Sequence, residues 1–470
     1  MNKPNLSTSK RAIFSLVWPQ LLMMYLLFIG NIAPLWIAGK MDAHTQGALG
    51  LVMQAFVFIS TVCIALNAGA TAVISQSIGA NKILRAKLYV KVCLILNFLL
   101  GVIFGILGLV FKEGIFELLQ VPSGAKIIAH ELWEIMLLAL PLAFVYQGGM
   151  VIFRSLRDVS TPLIVAAFVN ALSVFLGVVL AFGYLGFNAL SHKGIAWANV
   201  ASNILGCVLC LLLLLKDGYL KKLTKSSFLY ILPRLAWLKR AMPYLFNIAA
   251  NSGANSIIWQ GGNLALYAIV ASAPGDGSAN LAGFSVGNRI ESFLFTAAMA
   301  FNMSAAVLVG NCIGMQDYKS ARRVATQLVA SSALIMSALA AVLFPFRGEL
   351  SALLSSDPAV TLVSASYLAY NFISTPFSIA STVFAGVMVG AGAAKYNLMI
   401  FSGTYWIVRI PLALVLAHLI CGSVHGIFAA MLISQIIQTA WMVWVFRGEK
   451  WLKLGMKNAG MKNAEMKNAI

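Results

Sequence analysis

Charged residues are scarce in this sequence, and acidic residues are the scarcest. Only 10% of the 470 residues are charged, and 14 Asp and Glu stand against 33 Lys and Arg, which gives a net charge of +19. A soluble domain carries about 25% charged residues, so the composition excludes a soluble globular protein. An excess of base is typical of nucleic-acid binding, but in membrane proteins Lys and Arg collect in cytoplasmic loops. We therefore expect no nucleic-acid partner.

Signs of enzyme chemistry are also missing. The six cysteines lie in apolar segments, and the one close pair, Cys207 and Cys210, is embedded in CVLCLLLLL. Such thiols behave as small apolar side chains. The sequence has no HExxH, no GxSxG and no pair of Asp within one apolar run. A membrane-embedded enzyme is therefore the least favoured class, and we expect no catalytic residue, no bound metal and no cofactor.

Long hydrophobic runs are what the chain has instead. Hydrophobic residues make up 60% of it, and a transmembrane helix needs about 20 consecutive apolar residues. Runs of this length exclude a β-barrel, whose strands are short and alternate. The first run, from Ala12 to Ala38, is too long for a signal peptide. Twelve spans are predicted, starting near Ala12, Gly47, Leu88, Ile127, Pro162, Gly194, Ala241, Ala279, Val324, Ala359, Asn397 and Val424.

The basic residues predict an orientation for these spans. With both termini in the cytoplasm, 26 of the 33 Lys and Arg lie on the cytoplasmic side, five lie outside, and Arg289 and Arg409 lie within spans. This asymmetry is the one that cytoplasmic loops show. The expected organisation is a six-helix bundle (1–215), a basic cytoplasmic linker (216–240), a second six-helix bundle (241–446) and a basic low-complexity tail (447–470).

Landmarks in the first half recur in the second. The interval in residue number from Gly79 to Gly314, in SQSIGAN and GNCIGMQ, is identical to the interval from Pro141 to Pro376, and we call it the repeat interval. Six spans per half is an even number, so both halves enter the membrane in the same sense. The pattern predicts an all-α polytopic membrane protein whose two six-helix bundles are related by a parallel pseudo-two-fold repeat. A cavity between the bundles near mid-membrane is expected.

Four segments carry a family resemblance. They are SLVWPQLL (Ser15 to Leu22), SQSIGAN (Ser75 to Asn81), FRSLRDVSTP (Phe153 to Pro162) and NRIES (Asn288 to Ser292). In their order and spacing the chain resembles the multidrug and toxic compound extrusion (MATE) transporters. The resemblance implies a monomeric secondary active exporter of amphipathic, often cationic compounds, working by alternating access. It further implies a Na⁺ or H⁺ gradient as driving force and a multi-pass location, with the bacterial inner membrane expected.

Ionisable residues inside spans are functional candidates by default, because they are costly at bilayer depth. Glu291 is the one carboxylate that the sequence places well inside a span. It would carry a proton or bind a cation, or it would serve as a structural hydrogen-bond partner between helices. Arg289, two residues earlier, does not share its helix face and is expected to pair elsewhere or snorkel. Arg409 would face a cavity or satisfy carbonyls freed near Pro411.

The seventh span carries a row of amides. Asn247, Asn251 and Asn255 recur every four residues and therefore lie on one helix face, which Asn263 continues. Such a face lines a wet cavity or bonds to a neighbouring helix. Four Asn in one row favour the cavity.

The chain departs from the family where the resemblance would place coupling acids. The acid that the resemblance would place in the first span corresponds to Pro34, and the nearest polar residue is Asn31. The Asn and Asp that it would place in the fifth span correspond to Asn170 and Val174. The seventh-span acid of one branch of the family corresponds to Asn251. Neutral amides can bind Na⁺ through their oxygens but cannot carry a proton. A Na⁺ site near Asn170 and Asn199 is therefore a hypothesis. Further cavity candidates are Gln147 and Asn203.

Three functions remain open at this point. The first is the exporter of small organic molecules, with the lipid bilayer as its surroundings. The second is a flippase for a lipid-linked precursor, which is less favoured because only Arg289 and Arg409 are intramembrane bases. The third is a membrane-embedded enzyme.

Overall fold

The structure is a computed structural model, and most of the residues that it describes are helical. The described residues are 10–118, 123–186, 188–218, 235–448 and 450–452. Most of the predicted linker (216–240) and of the tail (447–470) lies outside the described residues, as does the stretch before residue 10.

Fifteen α-helices follow one another along the described chain. The first seven are α1 (Lys10–Gly39), α2 (Ala43–Gly79), α3 (Ile83–Val110), α4 (Lys112–Leu118), α5 (Ser123–Ser155), α6 (Ser160–Phe182) and α7 (His192–Lys216). The rest are α8 (Leu235–Ala271), α9 (Gly277–Gly314), α10 (Tyr318–Leu343), α11 (Arg347–Ala352), α12 (Pro358–Gly390), α13 (Ala394–Ser402), α14 (Ile410–Leu414) and α15 (His425–Arg447).

The predicted spans correspond to these helices. Eleven helical stretches in the described chain are long and apolar enough to cross a membrane. The twelfth is α8, which is 37 residues long but is made more polar by its row of amides. The fold class predicted from the sequence is therefore confirmed, with span starts within about six residues of those expected.

The element boundaries repeat as the sequence landmarks do. Helix α3 starts at residue 83 and α10 at 318, α4 starts at 112 and α11 at 347, and α5 starts at 123 and α12 at 358. The members of each pair are separated by the repeat interval, the same one that separates Gly79 from Gly314. The sequence did not predict the short helices α4 and α11, and their shared offset shows that even these connections belong to the repeat.

The described chain divides into two compact units. The N-terminal unit comprises the described residues within 18–78 and 82–249, and the C-terminal unit comprises 10–17, 79–81 and the described residues from 250 onwards. In the N-terminal unit, α5 packs on α3 and α7, around a core that includes Leu132, Trp133 and Phe144. In the C-terminal unit, α12 packs on α9, α10 and α15. The bundle limits expected from the sequence stay predictions.

Several of the few carboxylates cap helices. Asp276 accepts the Ser278 amide at 2.9 Å, Asp317 the Ser320 amide at 2.9 Å, and Asp357 the Ala359 amide at 2.8 Å. Carboxylates suit this position because the first amides of a helix lack partners within it. Hydrogen bonds from Ser278 and Ser320 lower the pKa of Asp276 and Asp317. These three acidic residues thus serve to start helices.

The eleventh span is not a regular α-helix. Between α13 and α15 the backbone is π-helical over Gly403–Arg409 and again over Val415–Ile420. The amides of Ile410 and Cys421 bond to carbonyls five residues earlier. Such wide turns are rare and are frequent at functional sites.

One prediction about the cysteines is wrong. Cys421 lies in the turn that follows the eleventh span, and its side chain is exposed. All six cysteines were expected in apolar segments, but the helix before Cys421 ends at Ile420. The other five cysteines are buried, as expected.

Candidate functional site

Six polar side chains from five spans of the C-terminal unit form what we call the tyrosine cluster. They bring together two of the three ionisable candidates, Glu291 and Arg409. The cluster consists of Asn263 on α8, Glu291 on α9, Tyr367 on α12, Tyr405 and Arg409 in the π-helical stretch, and Ser434 on α15.

Glu291 is held by a hydrogen bond from Tyr367, whose hydroxyl donates to Glu291 Oε2. The Tyr367 ring is 2% exposed, and it meets Phe284 and Phe428 edge-on at centroid distances of 5.2 and 5.3 Å. Gly287 lies against the same ring, where a Cβ would collide with it. The tyrosine is thus fixed by packing, and its hydroxyl is directed at the carboxylate.

Arg409 lies in the same cluster and is 5% exposed. Its Nε donates to Ser434 Oγ at 2.7 Å, and its guanidinium lies 4.3 Å from the centroid of the Tyr405 ring. This contact with the ring face is a cation–π interaction, which stabilises a buried cation. The Tyr405 hydroxyl in turn donates to Asn263 Oδ1 at 2.5 Å.

The two charges influence each other through the tyrosines. Glu291, Tyr367, Tyr405 and Arg409 are near enough for mutual electrostatic interaction. Inside a protein such interactions are stronger than in water. The charges of Glu291 and Arg409 therefore act on the same two tyrosines.

Arg289, the third ionisable candidate, is outside the cluster. Its side chain is exposed at the surface of the C-terminal unit. Helix geometry accounts for this, since residues two apart lie on different faces. Nearby Asn288 instead faces α8 and donates to the Tyr267 hydroxyl at 3.3 Å.

The amide row of α8 is divided in the structure. Asn263 bonds to Tyr405, whereas Asn247 is exposed and Asn251 is half-buried. Asn255 Oδ1 is buried and accepts no hydrogen bond from the described residues. Ser252 Oγ is also buried and has no hydrogen-bond partner among them. The Asn263 end of the row therefore bonds to a neighbouring span, and the buried Asn255 Oδ1 can still accept a hydrogen bond.

The N-terminal unit holds a neutral network that we call the amide–thiol cluster. Asn97 Nδ2 donates to Asn67 Oδ1 at 3.1 Å, and Asn67 Nδ2 lies 3.3 Å from Cys63 Sγ. The Cys63 thiol faces Asn97 Oδ1 at 3.3 Å and Gln147 Oε1 at 3.7 Å. Of the predicted candidates, only Gln147 belongs to it. All four side chains of this cluster are neutral amides or thiols.

The other N-terminal candidates bond mainly within their own helices. Asn170 Nδ2 donates to the Ala166 carbonyl at 2.8 Å, and Asn203 Nδ2 donates to Asn199 Oδ1 at 2.9 Å. Asn170 also packs on the backbone of α1 at Gly30, one residue from Asn31, whose side chain is exposed. The Na⁺ site near Asn170 and Asn199 stays a prediction.

Sequence reasoning missed the partners that complete both clusters. Tyr405 precedes Arg409 by four residues, and this spacing was a usable signal for a shared helix face. Tyr367, Asn67 and Asn97 belong to no row of polar residues that was recognised in the sequence. They are recognised only through contacts between elements far apart in sequence.

The described helices define a polytopic helical membrane protein built on an internal repeat. The chain belongs to the MatE family, whose sequence profile matches residues 19–182 and 252–415, once in each half. It is 21% identical over 441 residues to the probable multidrug resistance protein YoeA of Bacillus subtilis, covering 93% of this chain and 94% of that protein. It is 24% identical over 351 residues to the FAD transporter of Shewanella oneidensis, covering 74% and 75%.

A solved structure confirms the fold. It is that of a MOP superfamily transporter from Pyrococcus furiosus, with a TM-score of 0.85, 16% identity, and coverage of 97% of this chain and 99% of that one. In that transporter a reversed polarity of the binding pocket suggests a different function.

Proposed function

We propose that the protein is a secondary active exporter of amphipathic organic compounds, many of them cationic, and that it is driven by a proton gradient. The proposal of export is supported by the MatE membership and by the named multidrug relative. The proposal of proton coupling is supported by one observation, the hydrogen bond between Glu291 and Tyr367 inside the tyrosine cluster.

A proton is the ion that this arrangement suits best. An ionised carboxylate accepts a hydrogen bond, whereas a protonated one also donates, so proton binding changes what Glu291 offers Tyr367. Arg409 adds a positive charge to the same cluster, and this charge disfavours the binding of a metal cation there. Loss and gain of a proton at Glu291 would then shift the packing of α9 against α12 during alternating access.

Transport from liposomes tests both parts of the proposal. The purified protein is reconstituted with ethidium as substrate, under a pH gradient without Na⁺ and under a Na⁺ gradient at equal pH. We expect ethidium transport under the pH gradient alone. Glu291→Gln should reduce it at least about tenfold, as expected when an essential proton carrier is lost. Tyr367→Phe should retain transport with an altered pH profile.

A matched control separates coupling from general damage. Glu131 lies near the start of α5, where it pairs with Lys193 at 2.9 Å, and Glu131→Gln removes one carboxylate outside the cluster. It should transport like the wild type. Normal pH-driven transport by Glu291→Gln would show that Glu291 does not couple, and an absence of substrate movement under either gradient would refute export of this class.

An anionic solute is the second candidate. The guanidinium of Arg289 is exposed at the surface of the C-terminal unit, and one relative is named an FAD transporter. The flippase for a lipid-linked precursor stays a further, untested alternative. FAD accumulation by liposomes carrying wild-type protein, with a loss in Arg289→Gln, would favour it over export of cations.

A further inference from the structure

A basic groove lies on the first two turns of α10, in the C-terminal unit. It is an open surface depression of about 420 Å³ and is lined by Lys319, Arg322, Arg323, Thr326 and Gln327. These residues follow one another at the spacing of one helix face. The simplest explanation is that these Lys and Arg residues only determine the orientation of the span in the membrane, as cytoplasmic Lys and Arg do.

The internal repeat argues against that explanation. One repeat interval earlier, the first half has Leu84, Lys87 and Leu88 in place of Lys319, Arg322 and Arg323. Its remaining bases are arranged differently, since Arg85 is buried and donates to Ser77 Oγ at 2.9 Å. Orientation requires bases on the cytoplasmic side but no common face. The grouped arrangement is specific to the second half.

The basic side chains of the groove make few hydrogen bonds within the described chain. Arg322 Nη2 donates to the Arg447 carbonyl at 2.8 Å, which fixes the guanidinium plane. Its Nε is buried without an acceptor among the described residues. Lys319 and Arg323 are exposed. The carboxylate of Asp317 acts on both but is bonded to the Ser320 amide as the helix cap.

An apolar track continues from the groove along the same helix face. Ala330, Leu334 and Ala341 follow the groove residues at helical spacing and are all exposed, Leu334 by 73%. They lie within a helix that is long and apolar enough to span the membrane. A ligand with an anionic head and apolar chains matches the groove and the track together.

We propose that the groove binds the phosphate headgroup of an anionic phospholipid of the cytoplasmic leaflet, with its acyl chains along Ala330 and Leu334. Arginine recognises phosphate oxygens through several directed N–H groups, and basic pockets beside transmembrane helices bind anionic headgroups. The lipid would bridge the start of α10 and the end of α15, which Arg322 already joins. This inference does not depend on the transported substrate.

Binding of a labelled lipid tests the proposal. The purified full-length protein in an uncharged detergent is titrated with a short-chain phosphatidylglycerol carrying a fluorescent acyl label, and fluorescence anisotropy is measured. Unlabelled phosphatidylglycerol, phosphatidylcholine of equal chain length and inorganic phosphate serve as competitors. We expect saturable binding that phosphatidylglycerol displaces and phosphatidylcholine does not.

Two charge-matched double variants make the test specific. Lys319→Gln with Arg323→Gln removes two exposed bases from the groove and should weaken binding about tenfold or more. Lys216→Gln with Lys395→Gln removes two exposed bases at the ends of other helices and should bind within about twofold of the wild type. The thermal midpoint without lipid checks that both variants are folded. Equal loss in the two variants would show non-specific attraction, and competition by phosphate as strong as by phosphatidylglycerol would identify a soluble anion site; either result overturns the proposal.

Discussion

Asn97 illustrates how a single polar residue is accommodated in the interior of a membrane helix. Its side chain is fully buried and bonds to Asn67, to Cys63 and to the Cys93 carbonyl at 2.8 Å. An amide can both donate and accept, so one residue satisfies partners on two helices. Removing it would leave buried groups unpaired, which costs more than the bond itself contributes.

We predict that Asn97→Ala destabilises the protein by about 1–3 kcal/mol, the range for leaving buried polar groups unsatisfied. The thermal unfolding midpoint in detergent measures the effect. Asn188→Ala is the control, because Asn188 is exposed in the loop before α7, and its midpoint should not change. Equal midpoints for the two variants would show that the amide–thiol cluster does not contribute to stability.

Single residues also mark how far sequence reasoning reaches. Glu291 was predicted because a carboxylate inside an apolar run is a signal on its own, and the structure places it in a polar cluster. Its partner Tyr367 carried no such signal, since tyrosine is common in membrane helices. The contact joins residues 76 positions apart, and without a known helix arrangement the sequence does not specify it.

At the scale of elements, α9 and α12 form the most extensive helix pair of the C-terminal unit. Gly386 and Gly390 of α12, spaced as GxxxG, face the main chain of α9 at Asn302 and Ala306. Small residues at this spacing let two backbones approach closely in lipid. Asn302 Nδ2 adds a hydrogen bond to the Thr382 carbonyl at 2.6 Å. This pair carries both Glu291 and Tyr367.

We predict that Gly390→Ala destabilises the protein, because the added Cβ would collide with the Ala306 carbonyl. Overpacking of this kind costs about 1–3 kcal/mol. Thermal unfolding compares it with Gly348→Ala in α11, where a Cβ would meet nothing within 4 Å. The control should be neutral or slightly more stable, since Ala favours a helix over Gly. If both variants behaved alike, close approach at Gly390 would not matter.

Element existence could be predicted from the sequence, but element regularity could not. Hydrophobic length and loop charge were enough for twelve spans, because the bilayer sets their length. The π-helical turns that carry Tyr405 and Arg409 gave no signal in the sequence, since they depend on how the eleventh span packs against α15 through Ser434 and Gln438.

At the scale of the whole molecule, the repeat preserves the scaffold and changes the sites. One repeat interval before Glu291 and Tyr367 stand Phe56 and Leu132, which belong to or pack against the apolar core of the N-terminal unit. The amide–thiol cluster of that unit is neutral, whereas the tyrosine cluster is charged. The two repeats thus have the same helix arrangement but different polar residues. This difference agrees with the proposal that proton coupling takes place in the second half.

The predicted orientation of the whole chain has a direct test in Cys421. With cytoplasmic termini and twelve spans, the turn between the eleventh and twelfth spans lies outside the cell, and Cys421 in this turn is exposed while the other five cysteines are buried. We predict that a membrane-impermeant maleimide labels intact cells through Cys421 and that Cys421→Ser abolishes this labelling. In that background, Lys395→Cys introduces a thiol at the start of α13, where the side chain is exposed, and it should react only after the cells are permeabilised. Labelling of Cys421 only after permeabilisation would show that the topology is the opposite of the predicted one. The basic groove of α10 would then lie at the outer leaflet, and the charge asymmetry of the loops would not follow the rule for cytoplasmic Lys and Arg.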